Sequence, residues 1–282
     1  MSAVLMMGGP VAERVRARVR EEARQLGEVG LATVLVGDDP ASHIYVSKKH
    51  EAAEADGLRS FDRRLPAKAT QDELLEVLDE LNRNDAVDGI LVQLPLPEHI
   101  DVDRVLRAVD PIKDVDGFHP FNAGRLYAGK PTFVPATPLG IMTLLAEHGV
   151  ELEGARAVVV GRSTIVGKPM LHLLLGANAT VTVCHTRTRD LAAHTREADV
   201  IVVGVGRAGV LSPDMVRQGA VVIDVGITRT EHGIVGDVEA GVAERAGLLT
   251  PVPGGVGPMT IAMLLGNTIQ AAKYRRNLLA FP

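Results

Sequence analysis

The chain has 282 residues, 46% of them hydrophobic and 23% charged, which supplies the cores of one large or two ordinary domains. A formal net charge of −5 with no long Lys/Arg run gives no nucleic-acid footprint, and Cys184, the only cysteine, excludes an internal disulfide or a thiolate metal cluster. No stretch approaches the ~18 unbroken apolar residues of a membrane span, and the N-terminus lacks the basic and apolar regions of a secretion signal. The expectation is a soluble, cytoplasmic protein whose partners are small molecules, not nucleic acid or membrane.

Strand and helix patterns alternate, as in parallel α/β sheets. A helical pattern over Val11–Leu26 leads to an apolar strand over Leu31–Gly37. The following DDPASHIYVSKKHEAAEADG reads as a helix capped by Asp39 or Ser42 and ended by Gly57. Tyr45 and Lys49 stand at i and i+4 on one face near its start, and Lys48, at i+3, fits the spacing as well. Because this helix follows a parallel strand, its first turns lie over the strand's carboxyl edge, where open α/β sheets bind ligands. A second helical pattern, Gln71–Arg83, leads to a strand over Gly89–Gln93 that Pro95 and Pro97 stop. Gln93 thus places its amide over the same edge. The stretch from Asp110 to Pro138, rich in Pro, Gly and Asp, reads as a loop, and its KDVDGFHP segment offers Asp114 and Asp116. A tyrosine, a lysine, a glutamine and an aspartate on one cleft make an acid–base site without a metal. His119 and His185 lack metal-ligand spacing and suit surface or cap roles.

Four strands then recur, over Ala155–Gly161, Ala179–Cys184, Asp199–Gly204 and Gly219–Asp224, the rhythm of βα units. After the first comes the turn Gly161-x-Ser163-x-x-x-Gly167, with Pro169 in the first turn of the next helix. It holds the position of a phosphate-binding glycine turn but departs from G-x-G-x-x-G, since Ser163 replaces the middle glycine and one extra residue precedes the last. The second strand runs into CHTRTRD, where an NAD-binding unit would carry a carboxylate for the ribose 2′-hydroxyl. Thr186, Thr188, Arg187 and Arg189 supply hydroxyls and positive charge there instead, and Arg162 reaches the same place, which suits the 2′-phosphate of NADP. Met259–Leu279 is again helical.

Seven segments carry a family resemblance: VGDDPASHIYVSKK, GILVQLPLP, KDVDGFHPFNAGRL, ATPLGIMTLL, VVVGRSTIVGKPM, VTVCHT and PVPGGVGPMTIAMLLGNT. In this order they resemble the bifunctional methylenetetrahydrofolate dehydrogenase/cyclohydrolase family of the bacterial FolD type. The resemblance implies two α/β domains across a cleft, the second a Rossmann-like NADP-binding domain. Residues 1–137 would form the folate-binding and catalytic domain, 138–262 the NADP domain, and 263–282 a last helix packing back on the first. It further implies NADP-dependent oxidation of 5,10-methylenetetrahydrofolate to the 5,10-methenyl form and hydrolysis of that to 10-formyltetrahydrofolate, in one-carbon metabolism. Tetrahydrofolate derivatives would be the substrates, and the protein a homodimer formed through the NADP domain.

Residue by residue, the resemblance selects Lys49 over Lys48 as the catalytic lysine and gives Gln93 as its hydrogen-bond partner. It makes Asp116 the carboxylate that holds the pterin and Tyr45 the aromatic beside the aminobenzoyl group. Arg162, Ser163 and Thr186 match cofactor contacts, alongside Gly161 and Gly167 of the turn. Pro253, Gly254 and Gly255 lie in the loop that closes over folate and cofactor. Two positions depart from relatives: Glu51 stands where a basic residue is common, disfavouring a polyglutamate tail, and Ala136 where a cysteine is. An ordinary lysine, with a pKa near ~10.4, is mostly protonated at neutral pH. Burial beside a cationic substrate would lower that value and Asp116 would raise it, a contest the sequence leaves open.

Overall fold

The computed structural model describes residues 2–231 and 233–282. From the N-terminus run β1 (Val4–Leu5), α1 (Gly8–Leu26), β2 (Gly30–Val36), α2 (Pro40–Ala55), β3 (Arg59–Leu65) and α3 (Gln71–Arg83). Then come β4 (Gly89–Val92), α4 (Val102–Ala108), α5 (Pro120–Tyr127), α6 (Ala136–Glu147), β5 (Arg156–Val160), α7 (Gly167–Gly176) and β6 (Thr180–Cys184). The chain finishes with α8 (Leu191–Thr195), β7 (Val200–Val203), β8 (Val221–Asp224), β9 (Thr228–Thr230), β10 (Gly233–Val235), β11 (Leu248–Leu249) and α9 (Val256–Arg275). These elements form two compact units, one of Arg14–Ala136 with Ile261–Pro282, the other of Thr137–Thr260 with the residues through Glu13.

The unit built on Arg14–Ala136 carries a parallel sheet of order β3-β2-β4. Its central strand, GLATVLV, is buried at every position, the near-continuous apolar run of a parallel strand covered on both faces. Thr70 and Glu73 close a reciprocal capping box on α3, whose Leu74, Leu78 and Leu81 recur at helical spacing and pack with Val34, Ile90 and Val105. The second half of α9 belongs to this unit. Asn267 Nδ2 donates to the carbonyls of Val115 (2.8 Å) and Val134 (2.9 Å), and Lys273 Nζ donates to Glu22 Oε2 at 2.8 Å.

Lys113, in the KDVDGF segment, is buried and donates to three carbonyls at the end of α3: Leu81 (3.0 Å), Asn82 (2.7 Å) and Asn84 (2.9 Å). Those last-turn carbonyls have no partner inside the helix, so the ammonium serves as its cap. Burial first, then the Arg275 charge, brings its pKa down to about 8. Lys113→Met is expected to destabilise the fold by about 1–3 kcal/mol, the usual cost of stranding buried acceptors, and urea unfolding checks it.

In the other unit six parallel strands lie in the order β1-β11-β8-β7-β5-β6. Strands β5 and β7 are apolar and buried nearly throughout, as the continuous valine runs require. The chain leaves β5 for β6 on one side and returns past it to β7 on the other, so the strand order reverses at the carboxyl ends of β5 and β7. A β9–β10 hairpin follows β8.

Two expectations change. The sequence reading assigns residues 1–13 to the first domain, but β1 pairs parallel with β11 and joins the six-stranded sheet. A two-residue strand carries no periodicity of its own, and its partner lies near the other end of the chain. Asp110–Pro138 is also not all loop: α5 occupies Pro120–Tyr127, with Pro120 at its start and His119 Nδ1 accepting from the Phe121 amide at 3.0 Å. Eight residues including Pro, Asn and Gly look like a loop by composition alone.

Candidate functional site

Asp39 settles the capping choice on α2, since its carboxylate accepts from the amide (2.8 Å) and hydroxyl (2.7 Å) of Ser42. Gly57, at φ +82°, stands just past the helix end. On that helix Lys49 is half-buried while Lys48 is exposed. Lys49 Nζ donates to Gln93 Oε1 at 2.9 Å, and Gln93 Nε2 donates to the Leu94 carbonyl at 2.7 Å. The second bond commits the amide's donor end and turns its oxygen to the lysine. Asp116 completes the group electrostatically: its charge raises the Lys49 pKa, but loss of hydration is the larger effect and the net direction is downward. Asp116 itself is pushed up to about 6 by desolvation, with Lys49 pulling down and Asp114 adding to the rise. Both side chains retain some solvent exposure, yet enough protein surrounds them for desolvation to dominate.

The two aspartates of KDVDGF have separate work. Asp114 is buried and accepts from the Phe118 amide (3.2 Å), the His119 amide (2.8 Å) and Asn122 Nδ2 (2.8 Å), which holds the loop in shape. Asp116 has no hydrogen-bond partner among the described residues, so its oxygens remain available to a ligand. Tyr45, one turn before Lys49 on α2, is 36% exposed and presents its ring to solvent. Nothing in the sequence marks His50 as part of this region. Its ring bonds the hydroxyls of Thr33 on β2 and Ser60 on β3, tying α2 to two strands beside Lys49, and burial lowers its pKa against the opposing charge of Asp62. No spacing rule links those residues in sequence.

In the six-stranded unit the glycine turn is tight. A Cβ on Gly161, at φ +124°, would lie 2.5 Å from the Gly204 carbonyl oxygen, and one on Gly167 would lie 2.3 Å from the Gly161 oxygen. Only glycine fits either place, and the turn therefore lies against both the end of β7 and the start of α7. Ser163 Oγ accepts from the amides of Val166 (3.1 Å) and Gly167 (3.3 Å), so it braces the turn while keeping its hydroxyl proton to donate. Gly161 N donates to the Cys184 carbonyl at 2.9 Å, which brings the turn to the end of β6. There Thr186, Arg187 and Arg189 are exposed, as is Arg162. The one carboxylate of CHTRTRD, Asp190, caps α8 by accepting from the Ala193 amide at 3.1 Å, and Thr188 Oγ1 accepts from the His185 amide at 2.8 Å. The strand end thus offers cations and a hydroxyl, with its acid engaged elsewhere.

Pro253, Gly254 and Gly255 lie where β11 runs into α9, in this same unit. Gly8 N donates to the Gly254 carbonyl at 2.9 Å, and Gly254 takes φ +108°. The structure brings Lys49, Gln93 and Asp116 together in one unit, and Gly161, Arg162, Ser163, Gly167 and Thr186 together in the other. No group of three or more His, Cys, Asp or Glu among the described residues could hold a metal, and no described helix is long and apolar enough to cross a membrane.

Comparison with known proteins finds one family along the chain. The catalytic domain of tetrahydrofolate dehydrogenase/cyclohydrolase matches residues 6–116, and the NAD(P)-binding domain of the same family matches residues 135–276. A bifunctional protein FolD of Burkholderia multivorans is 55% identical over 97% of this chain and 98% of its own length. The crystal structure of the Campylobacter jejuni FolD methylenetetrahydrofolate dehydrogenase/cyclohydrolase superimposes with a TM-score of 0.95 at 48% identity, covering 97% of this chain and all of that one. The Trypanosoma brucei enzyme, solved with NADP and an inhibitor, gives 0.93 at 39% identity over 99% and 100% of the two chains. With both domain models matched in order and identity sustained along nearly the whole length, the chain belongs to the tetrahydrofolate dehydrogenase/cyclohydrolase family.

Proposed function

We propose that the protein oxidises 5,10-methylenetetrahydrofolate with NADP and hydrolyses the resulting 5,10-methenyltetrahydrofolate to the 10-formyl form, with Lys49 as the acid–base group of the second step. The bond from Lys49 to Gln93, beside the open carboxylate of Asp116, is the observation that carries this reading. Desolvation enlarges the neutral fraction of the Lys49 amine, and the cationic methenyl substrate would enlarge it further. The neutral amine takes a proton from the attacking water and returns it to the departing ring nitrogen, held on line by the Gln93 oxygen, and the remaining hydroxyl proton leaves to solvent as the formyl C=O forms. Asp116, ionised at neutral pH, accepts from the donor edge of the pterin. Tyr45 covers the aminobenzoyl group, and Pro253–Gly255 closes over the ligands.

When bound, NADP would supply a hydride acceptor for the methylene carbon, whose neighbouring nitrogens stabilise the cation left behind. The chain's part in that step is alignment. Gly161 and Gly167 would let the pyrophosphate approach the backbone, Ser163 would donate its hydroxyl, and Arg162 and Thr186 would meet the 2′-phosphate. The decisive experiment is incubation with 5,10-methylenetetrahydrofolate and NADP, following the methenyl form as it appears and decays. Turnover of shikimate in place of folate would overturn the assignment.

Cofactor choice gives a separate expectation. Unmodified protein should bind NADP well ahead of NAD, and Arg162→Ala with Thr186→Ala should erase much of the difference. Charge-assisted hydrogen bonds are worth about 1.5–3 kcal/mol each, or roughly one to two decades of NADP affinity. Titration with both dinucleotides measures it, and equal starting affinities would refute it. The reading also includes a cytoplasmic homodimer formed through the NADP unit, in keeping with β6 at the sheet edge, and the net charge of −5 argues against nucleic acid as a partner.

A further inference from the structure

Two buried aspartates in the six-stranded unit are unused by this chemistry. Asp224, at the end of β8, accepts from the amides of Gly226 (3.0 Å), Asp237 (2.9 Å) and Val238 (3.1 Å). Asp237 in turn accepts from three successive amides of the loop after β7: Val205 (2.6 Å), Gly206 (3.0 Å) and Arg207 (2.8 Å). Its carbonyl takes the Val210 amide at 2.8 Å as well. A row of consecutive N–H groups is the kind of concavity that binds a phosphate. Here the protein fills it with its own carboxylate, so these amides are spoken for before any ligand arrives.

Space around the pair is reserved. A Cβ on Gly226 would fall 2.0 Å from Asp237 Oδ1, and one on Gly236 would fall 1.8 Å from Asp224 Oδ2. The loop they hold stands at the strand-order reversal, opposite the glycine turn: a Cβ on Gly161 would meet Gly204 O at 2.5 Å and Val205 Cγ1 at 3.5 Å. Val205 is 39% exposed, an apolar side chain facing outward at the ligand-binding edge of the sheet.

We propose that Asp237, seated on Asp224, is the positioning residue for the Val205–Arg207 loop, and that this loop is the wall of the cofactor site opposite the Gly161 turn. The inference rests on the dinucleotide occupying the Gly161 turn. With its amides turned inward to Asp237, the loop meets the cofactor through Val205 and the Arg207 side chain, an apolar and cationic surface. The hydrolytic group on α2 needs none of these interactions, so the two activities should separate.

Asp237→Asn tests this, because the amide keeps the shape but brings two donors into a ring of donors. The expected result is a KM for NADP raised about tenfold or more, with methenyltetrahydrofolate hydrolysis measured without NADP within about twofold of parent. An unchanged KM for NADP in a folded variant overturns the proposal. Should Asp237→Asn lose its circular dichroism signal along with both activities, Val205→Glu decides, since an exposed site tolerates the substitution and its carboxylate would repel the cofactor's phosphates. A raised KM for NADP there supports the wall, and parental NADP kinetics refute it. Failure of unmodified protein to reduce NADP at all would strike the underlying reading instead.

Discussion

Lys49→Met is expected to nearly abolish methenyltetrahydrofolate hydrolysis while NADP reduction stays measurable, so that the methenyl compound accumulates. Hydride leaves the methylene carbon without a protein base, whereas water attack and ring opening require protons to move. General acid–base assistance is worth about 100- to 10,000-fold, which sets the size of the loss. Methionine keeps the stem and removes the amine that bonds Gln93. Lys48→Met is the control: that side chain is exposed on α2, and both activities should persist. Separate assays of methenyl formation and decay read the result. Equal loss of both activities in Lys49→Met would point to a role in orienting folate rather than in proton transfer.

Asp116→Ala should weaken both activities through folate binding, raising the KM for folate by about one to two decades for each charge-assisted hydrogen bond removed. Asp116→Asn should be nearly as damaging, because a donor amide then faces the donor edge of the pterin. The asparagine variant carries a second signature. The Asp116 charge raises the Lys49 pKa, so removing it must lower that pKa further and move the Lys49 limb of the hydrolysis pH profile to lower pH. In Lys49→Met the opposite partner is missing, and the Asp116 pKa should rise above about 6. Calorimetry showing normal folate affinity in Asp116→Ala would remove the ring-holding role.

Several elements declare themselves locally, and these make much of the fold legible in the sequence. Strands β2, β5 and β7 are nearly continuous apolar runs, broken only by Thr33 in β2 and by Arg156 at the start of β5, and α3 combines a capping box with Leu74, Leu78 and Leu81 at helical spacing. Strand β3 escapes such a reading, since RSFDRRL carries four charges and sits at a sheet edge where only backbone pairing makes it a strand. For the site, spacing leaves Lys48 and Lys49 open, and family resemblance chooses between them. Geometry adds what neither supplies: Lys113 and Asp114 maintain the scaffold beside Asp116, and Asp190 is diverted to a helix cap. Side chains that bond distant backbone leave no periodic trace.

Neither unit is one continuous stretch of chain, and α1 and α9 each contribute to both. Synthesis on a ribosome proceeds from the N-terminus, so β1 emerges with no strand to pair with until β11 has been made. The unit holding Lys49 is likewise short of Asn267 and Lys273, which tie it to Val115, Val134 and Glu22, until α9 has been made. Domain-by-domain folding during translation, the usual route for chains of this size, is therefore closed to this protein in its simple form. A nascent chain stalled before α9 therefore completes neither unit, and the apolar strands of both stay open to other contacts until that helix is made.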